Sequence, residues 1–219
     1  MWVADKLYYR GNDNFIRAYQ GSILVWEKYK NDRIFYTSTD GQVVTPYRNG
    51  RGGTGDDYTA GFGARITSNT YNGGSGLIKF NGDVTKVKFG FTGCSTLRTV
   101  TLPSSVTEIG TSAFDGCTGL VSVNIPNGVT SIGWLAFYGC TSLVTIEIPA
   151  SVTSIGDDAF RECNALKTVY VDAVIPPSLG NNVFLNNASG RLIKVPAASV
   201  QAYKTASGWS SYASSIVAQ

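Results

Sequence analysis

A period of 23 residues constrains this chain more than any other feature. The segments SSVTEIGTSAFDGCTGLVSVNIP from Ser104, NGVTSIGWLAFYGCTSLVTIEIP from Asn127 and ASVTSIGDDAFRECNALKTVYVD from Ala150 align without a gap. The first pair is identical at 13 of 23 positions and the second at 10. A fixed period of this length is the signature of a solenoid, because no single unit can bury its own apolar side and each must stack on its neighbours.

Each recurring position has a physical role. Leu97, Leu120, Leu143 and Leu166 open a short strand, and its inward side chains continue at Val100/Leu102, Val123/Ile125, Ile146/Ile148 and Val169/Val171. Strand side chains alternate between faces, so the residues between these point outward. Pro103, Pro126 and Pro149 end the strand by removing a ladder donor. A second apolar pair follows at Val106/Ile109, Val129/Ile132 and Val152/Ile155. Gly110, Gly133 and Gly156 then turn the chain into a segment that carries Phe114, Phe137 and Phe160 inward beside Ala113, Ala136 and Ala159. Val84, Val87, Phe91, Cys94 and Leu97 form a shortened leading copy, and Phe184, Leu192 and Val195-Pro196 a stretched trailing one.

An open stack needs caps. Val200, Tyr203, Trp209, Tyr212 and Ile216 supply closing groups, so residues 197–219 are expected to form a partly helical C-terminal cap. The expected organisation is a small β module over 1–32, an N-terminal cap over 33–83, the solenoid over 84–196 and that last cap. In the first module, alternation predicts strands at Lys6–Arg10, Phe15–Gln20 and Ile23–Lys28. The glycine-rich stretch RNGRGGTGDDYTAGFG, residues 48–63, reads as a surface loop. It lacks both the Gly-Lys-Ser/Thr of a phosphate loop and the spacing of a calcium loop. Tyr8, Tyr9, Tyr19, Tyr29, Tyr36, Tyr47, Tyr58 and Tyr71 read as half-buried strand residues before they read as ligand contacts.

Charge narrows the partners. Net charge is +3, with 12 Lys/Arg against 8 Asp/Glu up to residue 93 and 6 against 7 after it. That is too little and too dispersed for a nucleic-acid footprint. No apolar run reaches the ~20 residues that span a bilayer, so no membrane insertion is expected. The opening residues Met1 to Lys6 lack the basic and apolar regions of a signal peptide.

Cys94, Cys117, Cys140 and Cys163 stand one period apart at the same repeat position. An even count suggests disulfides in an exported protein. Stacked coils lie ~4.8 Å apart, however, and parallel Cβ vectors hold the Cβ atoms wider than the ~3.8 Å of a bridge. A ladder of buried free thiols fits better, and four sulfurs in a line cannot surround a metal ion tetrahedrally.

Catalysis has little to work with. The chain contains no histidine, which removes the usual general base. No serine sits in a Gly-x-Ser-x-Gly elbow, and the paired carboxylates Asp56/Asp57 and Asp157/Asp158 are neighbours at turns, not an opposed acid and base. No enzyme activity and no cofactor are expected.

The outward strand positions compare across coils. One row holds Thr99, Ser122, Thr145 and Thr168 and is uniform. The next holds Thr101, Asn124, Glu147 and Tyr170 and changes from coil to coil, as a recognition surface does and as an unselected solvent face also does. Trp134 and Tyr138 on the opposite face are a second candidate site.

The blocks SVTEIGTSAFDGCTGLVSVNIP and VTSIGWLAFYGCTSLVTIEIP resemble the BspA-like, or Treponema pallidum-type, leucine-rich repeat family, over residues 77–196. IFYTSTDGQVVTPYRN and ITSNTYNGGSGLIKFNGDVT look like the N-terminal cap of members from gut Bacteroidales. KLYYRGNDNFIRAYQGSILVWEK loosely resembles small β-hairpin modules of surface or phage-tail proteins. The resemblance implies a leucine-rich repeat solenoid with a strand in each repeat, exposed at a cell surface or secreted. It also implies binding to a protein or carbohydrate ligand on another cell or a host surface. The alternative is a structural or host-binding component of a phage particle, made in the cytoplasm.

Overall fold

The computed structural model describes residues 31–46 and 61–219 in full, and the backbone alone of residues 7–9, 15–20, 23–28 and 59–60. In chain order the strands are β1 (Leu7–Tyr9), β2 (Phe15–Gln20), β3 (Ile23–Lys28), β4 (Arg33–Ser38), β5 (Ile66–Asn72), β6 (Ser75–Phe80), β7 (Lys86–Val87), β8 (Leu97–Thr101) and β9 (Glu108–Ile109). They continue as β10 (Ser122–Val123), β11 (Ser131–Ile132), β12 (Thr145–Ile148), β13 (Ser154–Ile155), β14 (Thr168–Val171), β15 (Ser178–Leu179), β16 (Leu192–Val195) and β17 (Ile216–Ala218). Two short helices, α1 (Thr59–Phe62) and α2 (Val200–Thr205), and the 3-10 turns Ala197–Ser199 and Trp209–Ser215 complete the elements.

β1, β2 and β3 form an antiparallel meander, with Ala18 opposite both Leu7 and Val25. The glycine-rich stretch falls mostly outside the described residues, as do the side chains of Tyr8, Tyr9, Tyr19, Tyr29, Tyr47 and Tyr58. Tyr36 is buried and Tyr71 half-buried.

From Val84 onward the chain winds through five coils, taken as first to fifth from the copies carrying Leu97, Leu120, Leu143, Leu166 and Ile193. Every inward position read from the sequence is buried on the strand face, from Leu97 to Val171. A second wall was not anticipated. Ile109, Ile132 and Ile155 each lie in a two-residue strand, and β7, β9, β11, β13 and β15 form a parallel sheet across the core from the first. Two residues are too few to show an alternation.

Two repeat positions differ from their expected roles. In the second, third and fourth coils the leucine lies two residues before the strand, on the bend, and only Leu97 opens one. The glycine at Gly133 serves close approach instead of turning: a Cβ there would lie 2.7 Å from both the Gly110 carbonyl carbon and the Thr111 nitrogen. Left-handed backbone falls instead two residues after that glycine, at Ser112, Leu135 and Asp158, and further on at Gly93, Gly116 and Gly139, and at Glu162 where the fourth coil has no glycine.

The core is a column of rings. Phe91, Phe114, Phe137, Phe160 and Phe184 stack with centroids 5.3, 5.1, 5.0 and 5.7 Å apart and interplanar angles of 13° or less. Edge-on rings close the column, Phe62 against Phe91 at one end and Tyr212 against Phe184 at the other. Arg191 lies 5.2 Å over both Phe184 and Tyr212, held by its Nη1 donating to the Phe184 carbonyl at 2.8 Å.

Strands extend the strand face at both ends. β4 pairs antiparallel with β8 and continues it into the β4-β6-β5 hairpin, where the Tyr36 hydroxyl donates to Asn69 Oδ1 at 2.8 Å. At the other end β17 adds in parallel to β16. Tyr203 and Trp209, both fully buried, donate to the carbonyls of Ala173 and Pro177.

Candidate functional site

All four cysteines are free. Cys117, Cys140 and Cys163 are buried, and each thiol donates to the phenylalanine carbonyl of the preceding coil: to Phe91 at 3.0 Å, Phe114 at 3.2 Å and Phe137 at 3.0 Å. Cys94 differs from the other three, being only half-buried and donating to the Thr45 carbonyl at 3.3 Å. Burial pushes its thiol up to about 11, so it stays protonated and is a poor nucleophile.

Among the described residues no group of three His, Cys, Asp or Glu could hold a metal ion. No described helix is long and apolar enough to cross a membrane. Asp157 and Asp158 are occupied locally: Asp157 accepts the Asn181 N–H at 2.6 Å, and Asp158 pairs with Arg161 at 3.3 Å.

The row Thr101, Asn124, Glu147 and Tyr170 lies on the outward side of the strand face, and its members are not equivalent. Thr101 stands opposite Phe35 of β4. Tyr170 lies between Glu147 and Lys194 in register, and the Lys194 ammonium sits 5.2 Å over its ring. Asn124 is committed to the backbone: its Nδ2 donates to the Leu102 carbonyl at 3.2 Å while the Leu102 N–H donates to its Oδ1 at 2.7 Å. Trp134, 52% exposed, and half-buried Tyr138 lie on the turn segment 133–139, and neither joins this row.

The Asn124 bridge replaces a missing donor. At the level of Leu102 the next coil presents Pro126, which has no N–H. Two coils on, Asp172 fills the proline position, and its N–H donates to the Ile148 carbonyl at 3.0 Å. The Val171 carbonyl in turn accepts Gln219 Nε2 at 3.2 Å. Between the second and third coils both routes fail. Pro149 has no N–H, and Glu147, in the place of Asn124, is a carboxylate with no donor to offer.

The sheet opens at that point. β10 pairs only with β8 and β12 only with β14, and no backbone hydrogen bond joins β10 to β12 among the described residues. Neither the Ile125 carbonyl nor the Glu147 carboxylate has a hydrogen-bond partner among them. The result is a cleft of about 370 Å³, lined by Val121–Ile125, Asn127, Thr145, Glu147, Pro149 and Asp172. Val123 and Ile125 are the most exposed of the inward strand residues, at 9% and 8%.

Two of the sequence candidates, Asn124 and Glu147, thus border one cleft, while Thr101, Tyr170, Trp134 and Tyr138 do not line it. Sequence reasoning missed Asn127, Pro149 and Asp172. The signal was present in the succession Asn124, Glu147, Tyr170 set beside Pro126, Pro149, Asp172, which gives the donors available to each coil.

Residues 78–206 match the family model described as BspA type leucine rich repeat region, in 6 copies. The match runs past Pro196 and through α2. No curated protein matches the chain significantly. Among solved structures, the chain is 35% identical to a leucine-rich repeat protein of T. pallidum, covering 53% of this chain and 55% of that one, with a TM-score of 0.49. A leucine-rich cell surface protein of Faecalibacterium prausnitzii is 31% identical over 52% of this chain and 29% of that one, TM-score 0.46. A leucine-rich repeat protein of Bacteroides ovatus is 21% identical over 59% and 51%, TM-score 0.33. The chain spans about half the length of the Treponema protein and under a third of the Faecalibacterium one.

Proposed function

The chain belongs to the BspA-type leucine-rich repeat family, and from that premise we propose that it is a non-catalytic binding module of a bacterial surface. Its ligand is a protein or glycan carried by another cell or a host surface. The strand face supports this reading. It presents a row of side chains that changes from Thr101 through Asn124, Glu147 and Tyr170 to Lys194 while the backbone beneath repeats, and the row is interrupted by an open cleft. Rigid spacing with variable chemistry gives specificity at little ordering cost. The Faecalibacterium neighbour is described as a cell surface protein.

The test is an array of immobilised matrix proteins and glycans probed with the chain and with the double variant Glu147→Ala/Tyr170→Ala. A ligand bound by the parent and at least about tenfold more weakly by the variant, at unchanged melting temperature, supports the strand face as the binding surface. Equal binding by both overturns it.

A further inference from the structure

We propose that the cleft between the second and third coils is a guanidinium slot, taking an arginine side chain of the protein partner; this rests on the reading of the chain as a binding module. The lining is rich in acceptors and negative. Glu147 and Asp172 contribute carboxylates, and no lysine or arginine lines the cleft. Asp172 uses Oδ1 for Gln219 Nε2 at 3.2 Å, whereas the Glu147 carboxylate has no partner among the described residues. The Ile125 carbonyl adds an acceptor for which no described residue supplies a donor. A guanidinium is the complement: planar, permanently charged, with five N–H donors and no acceptor.

The apolar part of the lining agrees with the charge: where the two strands part, Val121, Val123, Ile125 and Pro149 offer apolar groups against which a planar cation can pack. Val121 is 38% exposed, a surface on which the methylenes of an arginine stem can lie. The cations in the equivalent row, Arg98 and Lys167, stand on the first and fourth coils. A lysine ammonium is a compact, strongly hydrated charge that leaves the walls unfilled, and a neutral sugar can donate its hydroxyls to the two carboxylates but brings no positive charge to meet them.

The test is titration of the isotopically labelled chain with N-acetyl-arginine-N-methylamide, followed by the amide resonances of Val123, Ile125 and Glu147. The lysine analogue and methyl β-galactoside serve as parallel arms. Saturable shifts with the arginine probe, binding at least about tenfold weaker with the lysine probe, and loss of the shifts in Glu147→Gln support the slot. Equal response to lysine, an unaltered response in Glu147→Gln, movement with galactoside alone, or movement with no probe overturns it. On the array, a protein ligand held equally by the parent and Glu147→Gln overturns the slot while leaving the binding-module reading intact.

Discussion

The rings of Phe137 and Phe160 lie 5.0 Å apart at an angle of 3°. Coil spacing sets that distance, because parallel strands stack ~4.8 Å apart, and the ring column is therefore as regular as the backbone. Phe137→Ala removes a ring with a neighbour on each side and leaves a cavity that neither adjoining coil can fill without breaking its own ladder. The expected cost is about 3–5 kcal/mol, read as a lower urea midpoint. Since each coil touches only its neighbours, the transition should also broaden. A loss below about 1 kcal/mol would mean that the column does not carry the core's stability.

Glycine substitutions should sort by cause. Gly133→Ala drives a Cβ to 2.7 Å from the backbone of the preceding coil, so the coils must separate there, and a clear drop in melting temperature is expected. The reverse change in the fourth coil should cost little. Glu162 holds φ +62°, where the coils before it use glycine at +71° and +67°. Left-handed backbone costs a non-glycine residue about 1 kcal/mol, set against the loss of its hydrogen bond from Asn186 at 2.7 Å and of its ion pair with Arg161 Nε at 3.7 Å. Because the hydrogen bond is exposed and the ion pair part-exposed, Glu162→Gly should come out near neutral in thermal unfolding, and a large loss would contradict the strain account.

What the sequence displays and what it hides follow from repetition. Phe114, Phe137, Phe160 and the inward valines and isoleucines recur, so their burial is legible at a glance. Phe62 recurs nowhere, yet it closes the ring column, and only its packing against Phe80 and Phe91 reveals it. Glu147 was legible as an outward residue on a variable row. Its effect on the sheet was not, because that depends on which carbonyl lies opposite Pro149, a matter of register between coils.

Raising the pH should weaken the fold through its buried thiols. Burial raises Cys94 to about 11 and places Cys117 and Cys140 well above the ordinary thiol range. The folded state therefore keeps protons that the unfolded state releases from about pH 8.5. Stability from these groups is whole below that point and falls as pH rises toward and through the folded values. Urea midpoints measured under reducing conditions from pH 7 to 11 should decline, and Cys140→Ala should flatten the slope. Midpoints that hold steady or rise would refute this. At neutral pH a thiol reagent should find the buried cysteines only after denaturation.

The sharpest prediction concerns the cleft. If the second and third coils part because the Ile125 carbonyl lacks a donor, supplying one should bring them together. Glu147→Asn places at the third coil the amide with which Asn124 bridges Leu102 through bonds of 3.2 and 2.7 Å. A net gain of about 1 kcal/mol is expected for the new hydrogen bonds, with slower hydrogen exchange at the Ile125 amide. Pro149→Ala tests the same cause by another route, since it restores the N–H that Asp172 provides one coil later. Both changes should narrow the cleft and weaken whatever enters it, although only the first removes a charge. Should both variants stay open and no more stable than the parent, the parting of the coils would have to originate elsewhere than in this missing donor.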